Sequence, residues 1–289
     1  MAWTLYHAPV LEAPYAHVAH TARSVPGVHT LFREATDRLT VRLVRSQRQR
    51  RRIRIGSVAP VFDVSSFTVK GQYFSHVPYE PGATAAVLGF LHPGGVFVDI
   101  GANTGYFTIL AALRVGPRGH VVAFEPNPVV ARRLKDQVEE NAVGDRVTVG
   151  GVAIADRDED GMSFYLSCVP ENDGISSLTP RAETLKQGSL RPDSTIPVNV
   201  RRFDTWLSSA DAATLNLSKI DLIKIDVEGA EMRVVKGMAS LLTNQPPARI
   251  ICETRHDSDA CRLLLERGYR VSMLDEIPGG IPNLLFERA

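Results

Sequence analysis

The stretch VFVDIGANTGYFT, residues 96–108, decides the fold. An apolar run ends on Asp99, and two glycines follow at Gly101 and Gly105. The pattern reads as a buried strand over 94–101, a tight turn, and a helix over 104–114 with Phe107, Leu110 and Ala111 at helical spacing. In open α/β sheets, ligands bind beyond the carboxyl ends of the strands. An acid and two glycines at such an end therefore ask for a ligand.

The same alternation continues to the C-terminus. HVVAFEP (120–126) is a second apolar strand, and Asn127 with Pro128 opens a helix reaching about residue 141. RVTVGGVAIAD (146–156) is a third strand with its exit loop. GMSFYLS (161–167) and IPVNVRRFDTWL (196–207) read as strands on either side of a long polar loop, 167–195. IDLIKIDVEG (220–229) is a buried strand, followed by one helix over EMRVVKGMASLL. ARIICET (248–254) is a strand, DACRLLLERG (259–268) a helix, and YRVSMLD (269–275) and NLLFERA (283–289) are the last strands. Strands alternating with helices predict an α/β fold, a mostly parallel sheet covered on both faces. The short IPGGIP link between the last two strands predicts an antiparallel pair.

The bulk numbers exclude several classes. The chain has 289 residues, with 44% hydrophobic and 22% charged, as in a globular protein. No apolar stretch approaches the roughly 18 residues of a membrane helix, and the N-terminus lacks a signal-peptide pattern. Three scattered cysteines, Cys168, Cys252 and Cys261, suggest neither a disulfide framework nor a zinc cluster. A cytoplasmic location is expected. Net charge is +1, yet residues 1–56 carry ten Arg against three acids. That asymmetry marks an Arg-rich helical extension over residues 1–75, expected to meet substrate or partner, ahead of a domain spanning 76–289.

The turn at 99–105 narrows the ligand. A P-loop needs Lys-Ser/Thr after its second glycine, where Tyr106 and Phe107 stand. The dinucleotide fingerprint GxGxxG fails because Asn103 occupies the second glycine's place. S-adenosylmethionine fits better: Asp99 complements its positive charge, and the start of the helix complements its carboxylate. Glu125 ends the second strand, where an acid can accept from a ribose diol. Val152 and Ala153, at the third strand's exit, are small enough to flank adenine. The expected cofactor contacts are Asp99, Gly101, Ala102, Asn103, Thr104, Gly105, Tyr106, Glu125, Pro126, Val152, Ala153 and Asp226, with Tyr79 closing over the methionyl end.

A second constellation, KIDVEGAE (224–231), sets Lys224, Asp226, Glu228 and Glu231 at the end of an apolar strand. Unpaired buried carboxylates are costly, so the strand should open into the cleft. Asp226 and Glu228 are the functional candidates there, while Glu231 suits the start of the next helix. His256, at a later strand end, is a candidate general base. No set of metal ligands is evident. In the polar loop, Asn172, Asp173, Ser176 and Ser177 suit a hydroxylated acceptor.

Taken together, DIGANTGYFT, FEPNP, VAIAD and IDLIKIDVEGAE resemble, in order over about residues 94–256, the FkbM family of S-adenosylmethionine-dependent methyltransferases. The resemblance implies a class I methyltransferase fold: a Rossmann-like, seven-stranded, mostly parallel sheet with an antiparallel C-terminal strand. It also implies O-methylation of a hydroxyl on a natural product, sugar or similar small molecule, and a Glu and nearby His after ARIICET, here Glu253 and His256. The alternatives are N-methylation of an amine, methylation of RNA through the arginine segment, and a non-catalytic S-adenosylmethionine-binding module. Neither a membrane nor nucleic acid is the expected partner, and homo-oligomerisation is left open.

Overall fold

The computed structural model describes residues 4–6, 50–63, 77–168, 173–213, 215, 217, 219–275 and 280–288. The chain divides into two compact units, 1–81 and 82–289.

In the first unit, β1 (Thr4–Tyr6), β2 (Arg50–Arg54) and β3 (Val61–Asp63) form an antiparallel sheet in that order. The helical reading of the arginine segment is corrected over Arg50–Arg54. From Arg52 to Ile55 exposure alternates residue by residue: Ile53 and Ile55 are buried while Arg52 and Arg54 are exposed. That is a period of two, which only a strand can satisfy. The rest of the arginine segment, 41–49, lies outside the described residues.

The second unit runs α1 (Pro81–Phe90), β4 (Val96–Ile100), α2 (Tyr106–Val115), β5 (His120–Phe124), α3 (Pro128–Glu140), β6 (Val147–Gly150), β7 (Ala153–Ile154), β8 (Glu159–Ser167), α4 (Ala182–Lys186), β9 (Leu190–Arg201), α5 (Phe203–Leu207), α6 (Ala210–Ala213), β10 (Leu222–Ile225), α7 (Glu231–Gly237), α8 (Ala239–Asn244), β11 (Arg249–Glu253), α9 (Asp259–Glu266), β12 (Tyr269–Asp275) and β13 (Asn283–Arg288). Seven strands make the main sheet in the order β12-β13-β11-β10-β4-β5-β6. β6, β5, β4, β10 and β11 run parallel. β13 lies antiparallel between β11 and β12, as the short final link requires. This is the α/β sheet expected from the alternating pattern.

All five residues of β4 are buried, as a central strand covered on both faces must be. Val96, Val98 and Ile100 join a core built with α5, α7, α8 and α9. The opposite face of β4 and β10 carries Asp99 and Lys224, which meet Thr108 and Phe107 of α2.

Three boundaries differ from the sequence reading. The expected third strand is two strands: β6 stays in the main sheet, while β7 pairs with β9 in a separate sheet of order β7-β9-β8. FDTWL is helix α5, because Phe203 and Trp206 are both buried at helical spacing and pack on Phe124. The helix over 231–242 is broken into α7 and α8 at Met238.

The glycine turn has a cause inside the chain. Gly101 has φ 85° and Gly105 has φ 95°. A Cβ on Gly101 would fall on the Asp226 carbonyl oxygen, and one on Gly105 would fall on Leu134. Gly101 therefore lets β4 leave the sheet in contact with the exit of β10. Gly101→Ala should destabilise the protein by more than about 2 kcal/mol in urea unfolding. Gly151→Ala, at a site with nothing within 4 Å of the added carbon, should stay within about 0.5 kcal/mol.

Candidate functional site at the strand tips

The carboxyl ends of β5, β4, β10 and β11 lie side by side and carry the candidate residues. Asp99, 2% exposed, accepts a 2.6 Å hydrogen bond from Thr108 Oγ1. Burial raises its pKa to about 6, against the pull of Lys224 and the Thr108 bond. Lys224, also 2% exposed, pairs with Asp226 Oδ2 at 2.7 Å and lies 4.5 Å from the Phe107 ring centre. The register sets Lys224 directly beside Asp99. One buried ammonium thus serves two acids on neighbouring strands. Thr108 was not anticipated: a threonine inside an apolar helical stripe carries no signal until its partner is known.

Glu125, 7% exposed, fixes the turn from the next strand. Its Oε2 accepts from Asn103 N at 3.0 Å and its Oε1 from Asn127 N at 2.9 Å. Asn103 has φ 49°, an uncommon left-handed conformation for a residue other than glycine. Ala102 and Tyr106 are buried, and Thr104 and Pro126 are half-buried, in the same two loops. Tyr106 Oη lies 3.2 Å from Thr84 Oγ1. Ala153 is buried, and Val152 packs against the main core. Tyr79 belongs to the first unit.

On the other side, Arg181 gathers three acids. Its Nη1 donates to Glu228 Oε2 at 2.6 Å, and its Nη2 donates to Glu231 Oε1 at 3.1 Å and Glu253 Oε2 at 2.8 Å. Asp226, Glu228 and Glu253 offer oxygens within 4.8 Å of one another. Such spacing suits a shared cation; here the Arg181 guanidinium meets Glu228 and Glu253, and Lys224 meets Asp226. Burial pushes Glu228 up to about 8, reinforced by Asp226 and opposed by Arg181. Burial likewise raises Glu231 and Glu253. Acids outnumber cations in this cluster, so it retains a proton at neutral pH.

The remaining candidates are placed differently. His256 is exposed in the turn after β11 and makes no hydrogen bond or ion pair among the described residues. Ser177 is fully buried, and its hydroxyl donates to Val227 O at 3.2 Å and accepts from Thr179 N at 3.0 Å. It serves the fold rather than facing an acceptor. Ser176 Oγ accepts from Ser167 N at 3.0 Å. Asp173 begins a short 3₁₀ turn, and Asn172 lies outside the described residues.

A mostly parallel sheet with acids and a glycine turn at the carboxyl ends of its strands is the form of a class I methyltransferase. Residues 99–271 match the methyltransferase FkbM domain, and the chain belongs to that family. The matched region is a methyltransferase domain. Among similar proteins, the AMB antimetabolite synthetase AmbE of Pseudomonas aeruginosa is 31% identical over 51% of this chain and 8% of its own length. The 2-O-methyltransferase NoeI of Sinorhizobium fredii is 32% identical over 52% of this chain and 60% of its own. The 31-O-demethyl-FK506 methyltransferase FkbM of Streptomyces tacrolimicus is 29% identical over 64% and 76%. The first two matches thus span less than two thirds of those relatives. No helix among the described residues is long and apolar enough to cross a membrane.

Asp99 gives a signed pH prediction. Its folded pKa lies above the ordinary aspartate value of 3.8, at about 6, so the folded state holds this proton more tightly than the unfolded chain. Its contribution to stability is fully present below the lower value and is lost as pH rises through the upper one. Asp99→Asn should remove that part of the slope in urea unfolding between about pH 4 and about pH 6.5. An unchanged slope would show that Asp99 does not titrate there.

Proposed function

We propose that the protein transfers the methyl group of S-adenosylmethionine to a hydroxyl oxygen of a small molecule. The observation that carries this reading is Glu125, whose two oxygens each accept one backbone N–H at the rim of the glycine turn. That place, at the tip of β5 beside the glycine turn, is where a carboxylate would accept from a ribose diol. The turn at Gly101–Gly105, with Ala102, Asn103, Thr104 and Tyr106, would hold the methionyl part. The N-terminus of α2 would face its carboxylate. Pro126, Val152 and Ala153 would flank the adenine.

The bound donor supplies an electrophilic methyl group on a cationic sulfur. The chain's task is then alignment, and removal of one proton from the acceptor. With the donor across β4 and β5, the β10 and β11 tips are left for the acceptor, so Asp226 and Glu228 would take that proton. His256, exposed and without polar contact to these acids, is not carried as the base. Ser176 and Asp173 remain acceptor-loop candidates. The names of NoeI and of the Streptomyces relative both print an O-methyl transfer, which supports oxygen over nitrogen as the acceptor atom. Natural-product biosynthesis is the setting such acceptors suggest, and a cytoplasmic location suits it.

Calorimetry with S-adenosylhomocysteine tests the donor half. Binding should be measurable for the wild type and weakened tenfold or more, about 1.4 kcal/mol, by Glu125→Gln. Equal affinity in the variant would move the donor elsewhere. A panel of hydroxylated metabolites incubated with S-adenosylmethionine and read by mass tests the acceptor half. A gain of one methyl is expected on a hydroxyl, and methylation only of amines or RNA would overturn it. Glu228 titrates at about 8, so the rate should climb with pH up to that value if Glu228 accepts the proton. A rate already flat from about pH 6 would exclude Glu228 as the base.

A further inference from the structure

The segment between β8 and β9 docks on the β10 exit through three independent contacts. Arg181 bonds to Glu228, Glu231 and Glu253, which lie 47, 50 and 72 residues away. Ser177 Oγ donates to Val227 O at 3.2 Å. Gly229, at φ 109°, leaves room for the Thr179 carbonyl, which a Cβ would approach to 2.5 Å. The turn that receives them is itself strained: Glu228 has φ 55°, a region that side chains other than glycine avoid. The chain thus bears a backbone cost that points the Glu228 carboxyl at Arg181.

We propose that Arg181 is a positioning residue for methyl transfer: its guanidinium, carried in from the β8–β9 segment, sets the charge and aim of Glu228 and Glu253 on the acceptor side of the strand tips. The proposal rests on the reading of those tips as the reaction site. The charges facing Glu228 are Arg181 from the segment, Lys224 and Asp226 from β10 and its exit, Glu231 from α7, and the β11 residue Glu253. Arg181 and Lys224 draw protons off Glu228, while Asp226 and Glu231 hold them on. Among the described residues, Arg181 is also the sole group that bonds to Glu228 and Glu253 together. It therefore lowers the pH at which a carboxylate able to accept a proton appears there. The guanidinium fork adds direction, because a planar pair of donors fixes the carboxyl planes and a lysine ammonium does not.

The test uses protein labelled with ¹³C at the glutamate side-chain carboxyls, in the wild type, Arg181→Met and Arg181→Lys. In Arg181→Met, Glu228 should titrate about one pH unit or more above the wild type, a tenfold change in proton affinity. Arg181→Lys should restore the titration to within about half a unit. Backbone hydrogen exchange over 177–181 should speed tenfold or more in both variants, since neither keeps the fork. Calorimetry with S-adenosylhomocysteine should stay within twofold of the wild type in both. An unmoved Glu228 titration in Arg181→Met with donor binding intact would overturn the proposal. Should Arg181→Met fail to fold, Arg181→Lys decides: unchanged exchange over 177–181 would overturn the proposal. Failure of the wild type to bind S-adenosylhomocysteine would instead sink the underlying reading of the site, while leaving the Arg181 titration result to stand on its own.

Discussion

One buried ammonium organises the strand tips. Lys224 sits in an apolar strand with 2% of its surface exposed, beside Asp99 in register and 2.7 Å from Asp226. Burying a lone cation costs several kcal/mol, so it holds its place only because acids surround it. The acids in turn stay near the sheet because the cation is there. Around this pair, β4 leaves through Gly101 against the Asp226 carbonyl, and Glu125 stitches the turn from the neighbouring strand. The cleft is a set of short constraints between adjacent strands, each of which fixes the next.

The two halves of the site differ in how they spend charge. On the β4–β5 side, neutral donors bond to the acids, a hydroxyl to Asp99 and two backbone amides to Glu125, with Lys224 beside Asp99 as the cation. On the β10–β11 side, acids are crowded around cations, and burial drives Glu228 and Glu253 toward retaining protons. A polar, amide-lined half suits holding a cofactor that must come and go. A half whose carboxyls have raised proton affinity suits chemistry that must remove a proton, once those carboxyls are themselves deprotonated. The same sheet provides both because neighbouring strands end in different loops.

Much of the fold was legible in the sequence, and the reasons are local. Apolar runs that end in an acid or glycine marked β4, β5 and β10, and Asn127-Pro128 marked the start of α3. The misreadings came where two periods compete over a few residues. FDTWL reads as a strand until Phe203 and Trp206 are seen to share a helical face, and RRRIRI reads as a charged helix until Ile53 and Ile55 are seen to alternate inward. At the site, Asp99, Glu125 and Asp226 could be named because they end strands. Arg181 could not: it stands after a proline in a polar stretch, and nothing in its surroundings points 47 to 72 residues ahead to its partners. The glycines were legible as a turn, but the close approaches they make within the chain, to Asp226 and Leu134, were not.

The aromatic cluster beneath β5 has an optical consequence. Trp206 packs edge-on to Phe124 with ring centres 4.8 Å apart, and Phe124 directly precedes Glu125. It is one of two tryptophans in the chain. Its indole is largely shielded from water and touches the residue that leads into the proposed ribose contact. A shift of the β5 tip would therefore be felt at that ring and should change its emission.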